Sequence, residues 1–131
     1  MKDNMKPDRK FYVFLCLAIF ETFALFWFSL IPSVGFVETG FMRLGDLEHL
    51  TAYILYGFLV YNVLKYFLDE KTGVLVSIVI GSFVGGLCET IQLFLPYRAG
   101  DIIDFGIDVL GSFTGGFAGS KFKTLFQNIF K

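Results

Sequence analysis

Three sets of residues in this chain combine chemical capability with helical spacing. Asp46, His49 and Tyr53 recur at intervals of three and four, which puts them on one helical face with Gly57. Glu89 and Gln92 share a second face with Gly81 and Gly85, while Asp101, Asp104 and Asp108 share a third with Gly111, Gly115 and Gly119. Arg98 stands between the last two sets. Such groups carry protons, hold cations or bind anions. An imidazole with an unperturbed pKa of about 6.5 makes His49 the natural proton carrier. The planar fork of Arg98 suits bidentate pairing with a carboxylate of the protein, and equally with a phosphate or carboxylate brought by a ligand.

Each of these residues also has a plainer reading. Asp46 follows Gly45 and Asp101 follows Gly100, each at a helix start, where capping is sufficient reason for an aspartate. His49 could be a satisfied helix-interface residue, and Glu89 and Gln92 could be interhelical glue. Such glue contributes only about 0.6 kcal/mol on average in one membrane protein, little return for a buried carboxylate, so a functional role is favoured for Glu89. Glu21, midway along the first apolar run, could touch the cluster, stay protonated, or rest against Thr22 and Thr51. Asp46, His49, Glu89 and Asp104 are an oxygen-rich set with one imidazole, the kind that accepts divalent cations. No HxxxH or HExxH spacing supports a metal, however, and neither metal nor cofactor is expected. No Ser, Thr or Cys adjoins His49 in a nucleophile motif.

The elements that must position these residues are apolar helices. The chain of 131 residues is 55% hydrophobic and 19% aromatic, well above an ordinary soluble domain, which calls for lipid as solvent. A formal charge of -1 argues against nucleic acid as a partner. Four spans are expected, over about 11–31, 46–68, 74–95 and 102–121, each near the crossing length of about 20 residues. Pro32 and Pro96 end the first and third, and the Asp69 to Gly73 turn separates the second from the third. The first is too long for the apolar core of a signal peptide, so it reads as an uncleaved helix. The fourth, with Asp104, Asp108 and many glycines, needs its neighbours for stable insertion.

Nine of the 11 basic residues (Lys2, Lys6, Arg9, Lys10, Lys65, Lys71, Lys121, Lys123 and Lys131) fall at the amino terminus, the second-to-third turn and the carboxyl tail. The positive-inside rule puts these regions in the cytoplasm, and the loops Ser33 to Gly45 and Pro96 to Gly100 outside. The expected fold is therefore all-α: one domain, residues 1–131, forming a four-helix integral membrane bundle with both termini cytoplasmic. Its small-residue seams on the third and fourth helices would gather the polar heads at the outer side. Cys16 and Cys88 fall at different depths, too far apart for a disulfide, which needs alpha carbons within about 7 Å. Trp27 and Tyr97 suit the outer interface.

The stretch DLEHLTAY, Asp46 to Tyr53, resembles the D-x-x-H-x-x-x-Y pattern of the VanZ-like family of small integral membrane proteins. ETIQLFLPYRAGDIIDFGIDVLG, Glu89 to Gly111, resembles its E-x-x-Q, P-x-R and D-x-x-x-N-x-x-G pattern, and SLIP, Ser29 to Pro32, is a weaker echo. By position, the resemblance carries the family's polar residues onto Asp46, His49, Tyr53, Glu89, Gln92, Arg98 and Asp104. Asp108 stands where the family usually has asparagine; an extra acid there is neutralised by Arg98, stays protonated, or changes what the site accepts. The family takes its name from a protein linked to low-level resistance to the glycopeptide antibiotic teicoplanin, so the resemblance implies a multi-pass cell-membrane location and a polar site at the outer face.

The expected function is recognition of a small anionic or lipid-linked component of the cell envelope, with Arg98 as anion partner and His49, Glu89, Gln92 and Asp104 fixing orientation. A membrane-embedded hydrolase or transferase, with His49 or Glu89 as general base, is the second reading. A proton-coupled transporter is the third; four helices without a repeat would then need to form a homo-oligomer. The partners expected are membrane lipids and the envelope ligand.

Overall fold

The computed structural model describes residues 6–32, 38–39 and 42–129, with side chains over 6–32 and 45–122. Four helices follow one another: α1 (Arg9–Leu30), α2 (Leu44–Leu64), α3 (Glu70–Leu93) and α4 (Ile102–Ile129). A two-residue antiparallel pair, β1 (Glu38–Thr39) with β2 (Met42–Arg43), precedes α2, with Glu38 opposite Arg43. Of the expected first loop, 33–37 and 40–41 lie outside the described residues.

Local capping explains where the boundaries depart from expectation. Asp8 accepts from Phe11 N at 3.0 Å, so α1 begins at Arg9. Asp69 accepts from both Thr72 N (3.1 Å) and Thr72 Oγ1 (2.8 Å), which makes the expected Asp69 to Gly73 turn the first turn of α3. These same bonds hold both carboxyls below their ordinary range: for Asp8 the largest cause is donation from Tyr66, and for Asp69 donation from the Thr72 hydroxyl. α2 is shorter than expected, ending at Leu64, and α4 runs on to Ile129.

α2 packs against all three other helices, while α1 and α4 each pack on both α2 and α3. Tyr53, Tyr56 and Val60 of α2 meet Val84 and Cys88 of α3 in the buried core, with Leu25 and Phe26 of α1 against them. The hydroxyls of Thr22 and Tyr56 join at 3.0 Å across the α1–α2 contact. Only Phe11, Ala18 and Ser29 of α1 are buried, leaving Phe20, Phe23 and Trp27 about two-thirds or more exposed at 69%, 72% and 67%. A large exposed apolar face of this kind is what lipid covers. α1 and α3 are each long and apolar enough to cross a membrane.

The charged contacts at one end of the bundle hold three chain segments together. Tyr66, just after α2, donates to Asp8 at 2.6 Å, and Lys121 of α4 reaches Glu70 of α3 at 2.7 Å. Lys65 donates to Asn62 at 2.7 Å and lies over the rings of Phe14 and Tyr66. At the opposite end the α3–α4 connection crosses α1, where Tyr97 donates to Leu30 O at 3.0 Å and Arg98 to Phe28 O at 3.4 Å. The basic segments 6–10, 65–71 and 121 therefore share one end, and Arg98 the other.

Candidate functional site

The Arg98 end also gathers most of the polar residues singled out above. Near the start of α2, His49 is one turn above Tyr53, which is only 2% exposed, and their rings stack with centroids 6.5 Å apart. His49 Nδ1 and Asp108 Oδ1 of α4 lie 2.8 Å apart, a hydrogen bond whose donor is set by the imidazole tautomer. The Asp108 side chain is completely buried, whereas that of His49 keeps 22% exposure. On α3, Glu89 and Gln92 are buried on the same face as Gly81 and Gly85. Glu89 Oε2 accepts from Asp101 N at 2.9 Å, so the α3 carboxylate anchors the approach to α4. Asp101 in turn accepts from Ile103 N at 2.9 Å, the expected capping role.

Two polar residues sit otherwise than expected. Asp46 lies inside the first turn of α2, because that helix begins at Leu44, and its carboxylate complements the helix dipole. Arg98 makes no ion pair with a carboxylate among the described residues. It bonds the Phe28 carbonyl, and its Nε is buried without a partner. Asp104 occupies the first turn of α4, where its charge acts on both His49 and Glu89.

The seams also differ in their pairing. The seam glycines 111, 115 and 119 of α4 face α2: a Cβ on Gly111 would stand 2.8 Å from Tyr53 Cβ, and one on Gly115 would collide with the Ile54 carbonyl, while Gly116 faces Ser77 of α3. The α3 seam instead receives the polar face of α4, with Gly85 beside Asp108 and Gly81 beside Ser112. α4 thus wedges between α2 and α3: its seam glycines and the Ser112 backbone lie against α2, the side chains of Asp108 and Ser112 reach Gly85 and Gly81 of α3, and Asp108 also bonds His49 of α2. Ser112 was not among the expected site residues. It is fully buried one turn from Asp108, and its Oγ has no partner. The spacing of four from Asp108 is the signal that could have singled it out.

The polar set therefore has two parts. Glu89, His49 and Asp108 each offer a ligand atom, all within 4.8 Å of one another, and Arg98 stands apart against α1. Asp46 and Asp104 do not join that inner group; Asp108 takes their place in the donor set anticipated for a cation. Between α3 and α4 a cleft of about 400 Å³ opens on Glu89, lined by Leu93, Ile102 and Phe105 with Gly86, Thr90 and Gly100. Cys88 lies in the buried core beside Tyr53 and is free, as is the exposed Cys16. The sequence model of VanZ/LLP1 matches residues 4–122, which include every residue of both parts. No curated protein and no solved structure matches the chain.

Proposed function

The chain belongs to the VanZ/LLP1 family, and on that basis we propose that it is a multi-pass cell-membrane protein that recognises an anionic, lipid-linked component of the cell envelope from the outer side. The observation that carries this reading is the state of Arg98. A guanidinium consumed by Glu89 and Asp104 would be internal glue, but this one has no carboxylate partner among the described residues and keeps a buried Nε without an acceptor. Burying a donor without an acceptor is costly, and a ligand phosphate or carboxylate removes that cost. The cleft between α3 and α4, at the same end of the bundle, has Leu93, Ile102 and Phe105 on its walls, which suits the hydrocarbon of a lipid-linked molecule. All four helices span the bilayer in this reading, both termini are cytoplasmic, and the role in glycopeptide resistance follows from sequestering or presenting an envelope precursor.

Lipid analysis of protein purified in mild detergent tests the proposal. Wild type should retain an anionic lipid-linked species enriched over the bulk membrane, and Arg98→Ala should lose it without a fall in Tm. Wild type carrying only bulk lipid in bulk proportions would falsify the reading. One observation favours an enzyme as the second reading: the 2.8 Å contact between His49 and Asp108 is how a general base is held in one tautomer. In that case incubation with envelope lipids would yield a chemically altered product that accumulates with time and fails to appear with His49→Gln.

A further inference from the structure

We propose that His49, Glu89 and Asp108 form a binding site for a first-row divalent transition-metal ion, of the class of zinc or manganese. The proposal rests on the donor geometry and stands independently of the lipid reading. The three residues come from three helices, α2, α3 and α4, and bring one nitrogen and two carboxylate oxygens within 4.8 Å of one another.

What points to a ligand is how the two carboxylates are used. Each has one oxygen committed to the protein: Glu89 Oε2 to Asp101 N, and Asp108 Oδ1 to His49. The other oxygen of each, Glu89 Oε1 and Asp108 Oδ2, is buried and has no partner. Both residues are more than nine-tenths buried, Glu89 at 8% exposure and Asp108 at 0%. Two buried carboxylates this close cannot both stay ionised without a compensating positive charge. Arg98 does not supply it, since its described bond is to the Phe28 carbonyl; a protonated His49 offsets one of the two carboxylates, whereas a divalent ion held by neutral His49 offsets both.

A Cβ on Gly85 would lie 2.9 Å from Asp108 Oδ2, so glycine at this position is what admits the Asp108 carboxyl against α3. The cleft between α3 and α4 reaches Glu89, one member of the group. An imidazole with two carboxylates suits zinc, manganese or iron(II) better than calcium or magnesium, which favour oxygen-only shells. Three protein donors leave a coordination position for water or for a ligand's anionic oxygen. Asp108 is the decisive member, because it is fully buried and bonds His49 while its second carboxylate oxygen has no partner.

Tag-free protein in detergent, stripped with chelator and desalted, should take up about one zinc or manganese ion per chain by elemental analysis, with a rise in Tm, since an ion that binds only the folded state stabilises it. Asp108→Asn and Glu89→Gln keep side-chain shape and should bind at least about 10–100-fold more weakly, the loss that even an outer-shell change produces. If wild type takes up neither metal, or if both variants bind as wild type does, the site is wrong and the two carboxylates instead share a proton. Should the variants fail to fold, cobalt(II) added to wild type decides: a visible spectrum of nitrogen and oxygen coordination supports the site, and the spectrum of free aqueous cobalt overturns it. None of these readouts involves lipid, so loss of the lipid reading and loss of the metal site are separable.

Discussion

Arg98 and Asp108 are opposite cases of a charged residue near helix ends. Arg98 has no described carboxylate to abandon, so Arg98→Ala should lower Tm little while removing the proposed anion contact, and Arg98→Lys should restore that contact only in part because an ammonium lacks the planar fork. Asp108 is fully buried on His49, and Asp108→Ala should cost about 3–5 kcal/mol, as removing half of a buried pair does. Asp108→Asn should recover most of that stability, since an amide still bonds the imidazole; detergent unfolding of the two variants checks the contrast. A third residue-scale expectation concerns pH. Donation from Tyr66 and from Phe11 N holds the Asp8 carboxyl below its ordinary range, and burial together with Asp8 pushes the Tyr66 phenol up to about 12. The depressed Asp8 contributes stability above the unfolded carboxyl pKa of about 3.9, lost as pH falls through the folded value. The raised Tyr66 contributes below about 10 and loses its contribution as pH climbs to about 12. Tyr66→Phe should therefore lower Tm at neutral pH, with the gap from wild type closing in acid below about pH 4.

At the scale of the helix, α4 is the element whose packing differs most from its reading in sequence. Its glycines at 111, 115 and 119 are legible as a close-approach seam from their spacing alone, but spacing does not say which neighbour approaches. The structure gives that face to α2, where Gly115 meets the Ile54 backbone, and sets the side chains of Asp108 and Ser112 against Gly85 and Gly81 of α3, with Asp108 also reaching His49 of α2. Gly115→Leu should force α2 and α4 apart, and Gly85→Leu should displace Asp108. Each should cost at least the roughly 1–3 kcal/mol typical of overpacking. The suitable control is Val79→Leu, since Val79 is 59% exposed whereas its neighbour Ile78 is half-buried. Unchanged Tm in both glycine variants would show that the seams do not set the packing.

For the molecule as a whole, the contacts Asp8–Tyr66 and Glu70–Lys121 tie the basic segments to one end, while Arg98 and Tyr97 bind α1 at the other. With that end in the cytoplasm, reporters fused after Lys10, between Asp69 and Gly73, and at the carboxyl terminus should read cytoplasmic. Fusions near Tyr97 and near Val37, which lies outside the described residues, should read exterior. An exterior reading at the carboxyl terminus would leave an odd number of spans and remove the four-span arrangement.

The sequence by itself determined four helices, the apolar character of α1 and α3, and the shared faces of His49 with Tyr53 and of Glu89 with Gln92. Periodicity and hydropathy are properties of each segment alone, so they survive without knowledge of neighbours. Tertiary structure alone decided the partners. Arg98, whose fork suits a carboxylate of the protein as well as one of a ligand, lies on a loop that crosses to α1 and bonds the Phe28 carbonyl. Asp108, for which neutralisation by that arginine was one of three readings, pairs with His49 from 59 residues away. The physical reason lies in helix rotation: which face of α4 turns toward α2 is settled by where glycine lets the backbones close. That choice carries Asp108 and Ser112 into the gap against α3.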